Sequence, residues 1–173
     1  MTSIAGNLAA HILLLSEHPT FEELDKDTQM ISDGGRVYAN ILAEAGFDME
    51  RDFLVMPYSR FGSKPNKAST KDTFPLLHEW LPQLNVKCIA VLGMTAFGHT
   101  FAGGRKTHAK SIIGKPMYLP EMHSLPVFVL PDSTLMHSID EKDYRQRRAL
   151  EDKQKKVFQH CLDLAKFVAS LRR

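Results

Sequence analysis

The chain has 173 residues, 43% of them hydrophobic, which suits one domain over residues 1–173 with a buried core. No apolar run reaches the length of about 18 residues that a membrane-spanning helix needs, so the sequence excludes such a helix. The net charge is only +2, yet residues 51–120 carry ten basic residues against three acidic ones. This basic middle segment favours a polyanionic partner, and a solvated basic surface is the alternative.

The N-terminus and the cysteines bear on location and cofactors. The first residues lack the basic flank and the small-residue cleavage site of a secretory signal, so we expect a cytoplasmic protein. Cys88 and Cys161 both lie in apolar patterns, which predicts reduced core residues rather than a disulfide or a metal cluster. The histidines show no ligand spacing. We therefore expect neither a metal nor another cofactor.

Apolar runs alternate with helical patterns along the chain. The spacing predicts strands over 11–15, 52–57, 87–93 and 126–131, and helices over 35–47 and 72–84 with a short one after residue 93. A long helix is predicted to begin near Ser138, which forms a capping box with Glu141, and to bury Val157, Cys161, Leu164, Val168 and Leu171. Its charged first half, 143–156, has alternating signs that indicate a solvated face in preference to a second DNA site.

Continuous apolar strands separated by helices predict a parallel sheet that is covered on both faces. The fold class is therefore a three-layer α/β/α domain with a central, mainly parallel sheet. Ligands bind outside the carboxyl ends of the strands in such sheets, so we expect the functional site there. The first strand, in "ILLLSEHPT", brings Glu17 and His18 to that edge.

The order of several segments resembles the uracil-DNA glycosylase superfamily, and its family 4 type most closely. These segments are "SEHPT" after the first strand, "ILAEAGF", "FLVMP", "AVLGMTAFG" and "PVFVLPDSTLMHS". The resemblance as a whole covers about residues 11–170. "ILAEAGF" and "AVLGMTAFG" carry most of the resemblance, and both are packing motifs. The cysteines that hold an iron–sulfur cluster in that family have no counterparts here.

The resemblance implies roles for individual positions. Glu17 falls on the family's carboxylate, which orients the attacking water and stabilises positive charge on the sugar, and Pro19 falls on the motif's proline. Met30 falls where an aromatic ring stacks on the flipped base, and Met56 or Pro57 falls on the asparagine that reads uracil. Pro131 and Asp132 fall on the His-Pro of the last motif, so the histidine that hydrogen-bonds the departing base is absent.

These replacements lower the polarity of the implied pocket. Losing a hydrogen-bond donor to the leaving base typically costs about 10²–10³ in rate, and losing the amide removes recognition of the base. We place His18 in the pocket beside Glu17. It follows the first strand, whereas the resemblance puts the hydrogen-bond donor to the leaving base after the last strand. His137 is the preferred substitute for the missing histidine. Glu17 itself has a structural alternative, which is to accept backbone amides at a loop or helix start.

Two basic segments and one apolar pair point to DNA. The expected phosphate contacts are Arg60, Lys64, Lys67 and Lys71 in "SRFGSKPNKASTK", and Arg105, Lys106, Lys110 and Lys115 in "GGRKTHAKSIIGK". Leu135 or Met136 lies where the family inserts an apolar wedge into the duplex, and packing of that loop on the sheet is the alternative.

Three functions follow from the sequence. The first is a DNA-binding protein of glycosylase fold whose base excision is lost or strongly weakened, acting as an accessory in replication or repair with a possible protein partner. The second is an active DNA glycosylase of altered base specificity that hydrolyses the N-glycosidic bond through Glu17. The third is a nucleotide enzyme on a doubly wound sheet, which is the weakest because no Gly-rich phosphate loop follows the first strand.

Overall fold

A six-stranded, mostly parallel sheet forms the centre of the protein. The computed structural model describes residues 4–16, 30, 33–57, 73–94, 97–98, 112–119, 122–132 and 144–171. The strands are β1 (Ala5–Gly6), β2 (Ile12–Ser16), β3 (Phe53–Pro57), β4 (Cys88–Leu92), β5 (Pro116–Tyr118) and β6 (Pro126–Leu130). Their spatial order is β1-β3-β2-β4-β6-β5. The four central strands are parallel, and β1 and β5 pair antiparallel at the two edges.

Every residue of the four parallel strands is buried, which confirms that these apolar runs are strands covered on both faces. Alternate side chains enter two separate cores, as strand geometry requires. Ile12 and Leu14 of β2 lie in one core, and Leu13 and Leu15 lie in the other. The confirmed part of the predicted fold is a mixed α/β chain with a mostly parallel sheet.

Helices pack on both faces of this sheet. They are α1 (Asp33–Glu44), α2 (Met49–Asp52), α3 (Thr73–Trp80) and α4 (Tyr144–Leu171), with a 3-10 turn over Leu81–Gln83. Buried residues of α1 and α4 share the first core, whereas Leu77 of α3 and Leu81 belong to the second. None of the described helices is both long enough and apolar enough to span a membrane.

Hydrogen bonds at the helix ends explain two of the boundaries. Gly46 has a φ of +97°, and the Phe47 N–H donates to the Leu42 carbonyl at 3.1 Å, so α1 ends in the glycine cap that the sequence predicts. The Asp48 carboxylate then accepts from the N–H groups of Glu50 and Arg51 and starts α2, a single turn that the sequence pattern did not reveal.

Over the described residues, the long helix departs from its prediction only in the burial of Leu171. The predicted capping residues Ser138 and Glu141 lie outside the described residues, and the described helix begins at Tyr144. Val157, Cys161, Leu164 and Val168 are buried as predicted. Leu171 is instead 37% exposed, so the prediction of its burial was wrong. Leu171 is the last described residue of the helix.

Candidate functional site

The candidate site is the edge where the four parallel strands end. The central order β3-β2-β4-β6 places the first strand of the parallel set between the second and the third. In doubly wound sheets this order opens a crevice at the carboxyl ends of the two strands where the winding reverses, here β2 and β4. Ser16, the last residue of β2, pairs with Pro57 of β3 at that edge and is buried. Ser16 directly precedes Glu17 in the sequence.

Close backbone packing joins the ends of β4 and β6. The Gly93 N–H donates to the Leu130 carbonyl at 2.9 Å. Gly93 adopts a φ of +94°, a region that residues with a Cβ rarely enter. A Cβ added there would also lie 3.4 Å from the Asp132 Cβ and 3.5 Å from its Oδ2. The backbone conformation therefore favours glycine at this position, and the half-buried Asp132 side chain lies against the end of β4.

A long-range hydrogen bond ties α1 to the same edge. The Tyr38 hydroxyl donates to the Pro131 carbonyl at 2.9 Å, across 93 positions of the sequence. Tyr38 is completely buried, and burial, with a smaller contribution from Cys161, raises the pKa of its phenol well above the ordinary value. The phenol therefore remains a protonated donor at neutral pH, and it holds the backbone that carries Asp132.

Two positions that the resemblance assigns to base recognition are occupied by buried methionines. Met30 is 9% exposed and lies in the core shared by α1 and α4, with a φ of +59°. The backbone of Met30 approaches α1 so closely that a Cβ on Gly35 would come within 2.8 Å of it. Met56 is 4% exposed and lies in the core on the opposite face of the sheet. Both side chains add apolar packing beneath the edge.

One predicted phosphate contact lies near this edge. Lys115 is exposed and directly precedes β5, whose first residue Pro116 pairs with Phe128 of β6. The neighbouring Gly114 N–H donates to the Val129 carbonyl at 2.9 Å. Lys115 thus lies beside the carboxyl-terminal part of β6, at the same end of the sheet as Pro131 and Asp132.

The structure brings together only some of the predicted site. Pro131, Asp132 and Lys115 lie near the end of β6, Met56 and Pro57 end β3, and Met30 lies in the core of α1 and α4. The remaining candidates lie outside the described residues: Glu17, His18, Pro19, Arg60, Lys64, Lys67, Lys71, Arg105, Lys106, Lys110, Leu135, Met136 and His137. Tyr38 and Gly93 were missed as site residues. A glycine after an apolar strand was the available signal for Gly93, and Tyr38 lies in the helix predicted over 35–47 without any pattern that singled it out.

The polar chemistry of the described edge comes from Ser16 and Asp132. A serine hydroxyl donates and accepts hydrogen bonds, and an ionised carboxylate accepts them. Across the described parts of the chain, no three His, Cys, Asp or Glu side chains are grouped so that they could hold a metal ion. Cys88 and Cys161 are buried, and burial raises the pKa of each thiol to about 12.

Comparison with known proteins does not identify a family. No protein-family model matches the sequence, and no curated protein matches it.

Proposed function

We propose that this protein binds DNA through a uracil-DNA-glycosylase-like fold and has lost, or strongly weakened, base excision. The observation that carries the proposal is the apolar character of the implied base-reading positions. Met30 and Met56 are buried in the two cores, and Pro131 offers only a carbonyl that already accepts from Tyr38. Excision of uracil needs a donor for the leaving base and a polar group that reads its edge.

The strand order supports the position of the DNA site. The crevice rule for doubly wound sheets points to the carboxyl ends of β2 and β4, and the resemblance assigns Glu17 to the segment after β2 and further functional positions to the ends of β3 and β6. The sequence contributes four basic residues in 59–71 and four more in 103–115. Lys115 is the described member of these groups, and it is exposed. Phosphate contacts of this kind give salt-dependent affinity with little sequence preference.

An accessory role in replication or repair is the function that fits these features. Such a protein uses its basic surface to stay on DNA, and a replication or repair protein is its expected partner. The competing function is an active glycosylase that hydrolyses the N-glycosidic bond through Glu17 and accepts a modified base. The two functions predict different results in one experiment.

The experiment combines an excision assay with a binding assay. Labelled single- and double-stranded oligonucleotides with one uracil are incubated with excess protein, and hot alkali then reveals abasic sites. We expect no cleavage, and we expect Glu17→Gln to leave DNA affinity unchanged. Cleavage that disappears in Glu17→Gln would overturn the proposal in favour of an active enzyme.

Charge-matched variants test the binding surface. Lys64→Gln with Lys67→Gln, and Arg105→Gln with Lys106→Gln, are expected to weaken binding and to reduce its salt dependence. Lys87→Gln with Lys166→Gln is the control, because both residues are exposed, neither belongs to the basic loops and the charge change is the same. Affinity that survives both loop variants would rule out these loops as the DNA site.

A further inference from the structure

The first half of α4 is exposed, whereas its second half packs on the sheet. Residues 144–156 are exposed apart from the partly buried Leu150 and Gln154, and the first buried side chain is Val157. The helix has 28 residues, so it is about 42 Å long at 1.5 Å per residue. Each central strand has five residues and is only about 17 Å long. Packing on the sheet therefore engages only part of α4.

The exposed half also carries most of the charge of α4. Residues 144–156 contain six basic and two acidic residues, a net charge of +4. Residues 157–171 contain one acidic residue, Asp163, and one basic residue, Lys166. The basic residues of the exposed half are Arg145, Arg147, Arg148, Lys153, Lys155 and Lys156.

Basic residues outnumber acidic ones around the exposed half of α4. Glu151 and Lys155 both line a groove of about 450 Å³ between α1 and α4, and the Glu151 carboxylate lies 3.8 Å from the Arg147 guanidinium. Arg148 and Lys155 are seven residues apart and so share one helical face. By helical spacing that face is opposite the stripe that begins with Val157. Glu151 and Asp152 flank that face, one on each side, and both are exposed.

We propose that residues 144–156 of α4 form a nucleic-acid-binding surface in addition to the basic loops. The proposal rests on the proposed function for the class of partner, and charge complementarity to the phosphate backbone is its physical basis. Three arginines favour phosphate, because a guanidinium fork matches the oxygens of that group. Tyr144 is 66% exposed, and the Arg147 guanidinium lies over one face of its ring, 5.9 Å from the ring centroid. The opposite face is the one on which a base can stack.

A membrane surface fits this segment less well. Helices that lie in a lipid interface need a broad apolar face opposite their basic residues. The apolar residues of the exposed half are Tyr144, Ala149 and Leu150, which do not form such a face. An acidic protein would match the charge but would not use the exposed aromatic ring together with the arginines.

Fluorescence anisotropy of the full chain with a labelled 20-mer duplex, and with the single strand of the same sequence, tests the proposal. The variant is Arg148→Gln with Lys156→Gln, and Lys87→Gln with Lys166→Gln is the charge-matched control. Each lost phosphate contact is expected to lower duplex affinity about eightfold near 0.1 M salt and to reduce the slope of log K against log salt by about 0.9. Circular dichroism and Tm establish that both variants are folded.

Each result decides the proposal. Weaker duplex binding by the α4 variant, with unchanged binding by the control, supports the proposal even where the loop variants bind normally. Wild-type binding that the α4 variant leaves unchanged, or that both variants weaken equally, overturns the α4 surface but leaves the proposed function standing. No binding by the wild type overturns both. Equal competition by polyglutamate of matched charge would show that the surface recognises acidic chains rather than nucleic acid.

Discussion

Removing the Tyr38 hydroxyl tests whether α1 and the end of β6 are joined as the structure has them. The hydroxyl donates to the Pro131 carbonyl at 2.9 Å, and the ring is completely buried. Tyr38→Phe keeps the ring and removes only the donor, so it leaves no cavity. The Pro131 residue is half-buried, so water reaches its carbonyl more easily than it would reach a fully buried one.

The expected loss is therefore that of one hydrogen bond. The free energy of unfolding should fall by about 1 kcal/mol, the usual net value of such a bond, and not by the larger amount that follows when a polar group is left fully buried. For a chain of this length, that loss lowers Tm by about 2–4 °C. Tyr38→Ala also opens a cavity in the core and should lose about 3–5 kcal/mol.

Urea denaturation followed by circular dichroism measures these differences. Tyr118→Phe is the matched control, because Tyr118 is 62% exposed and should change stability by less than about 0.5 kcal/mol. If Tyr38→Phe were as stable as the control variant, the hydrogen bond between Tyr38 and Pro131 would be contradicted. A loss as large as that of Tyr38→Ala would show that the site does not accept a phenylalanine ring, which contradicts the packing described for α1.

Two further predictions concern α4 and the cysteines. A Cβ on Gly114 would overlap the His160 ring, with its Cε1 only 2.9 Å away, and Gly114 has a φ of +79°. Gly114→Ala should therefore lower the free energy of unfolding by about 2–4 kcal/mol. Adding His160→Ala should remove the part of this loss that comes from the overlap, and the part that comes from backbone strain should remain. If the effects of Gly114→Ala and His160→Ala on the free energy of unfolding were strictly additive in denaturation experiments, the close contact between the two residues would be contradicted. Burial raises the pKa of Cys88 and Cys161 to about 12, so both thiols should resist a thiol reagent at pH 8 until the protein unfolds. Because the folded-state pKa is the higher one, the folded form holds these protons longer. The free energy of unfolding should fall as the pH rises from about 9 toward 12, and a serine variant of either cysteine should show a smaller fall in denaturation curves across that range.

The elements that the sequence predicts well are those with a strong periodic signal. Strands β2, β3, β4 and β6 are runs of apolar residues buried on both faces, and the buried stripe of α4 repeats at helical spacing. The two-residue β1, the three-residue β5 and the single turn of α2 were missed. Elements this short give no periodic signal, and they form because a neighbouring strand or a capping side chain is in place.

The candidate site depends more on contacts between distant residues. The rule for parallel sheets locates the site at the carboxyl edge, and Asp132 lies there. No local pattern indicates that Asp132 lies against Gly93 or that Tyr38 reaches Pro131, because each pair is separated by tens of residues. Likewise, the residues next to Met30 in the sequence do not indicate that it is buried in the core of α1 and α4.

The sequence by itself therefore determined the class of structure: a mostly parallel sheet with helices, buried strands and a basic middle segment. Hydrophobic periodicity and charge are local properties, and they can be read before the chain folds. The exposure of residues 144–156 agrees with the solvated face that the charge pattern predicts, whereas only the tertiary structure decided the strand order and the joining of α1 to the end of β6. These depend on which surfaces are buried together, and burial is settled by packing between segments that are distant in the chain.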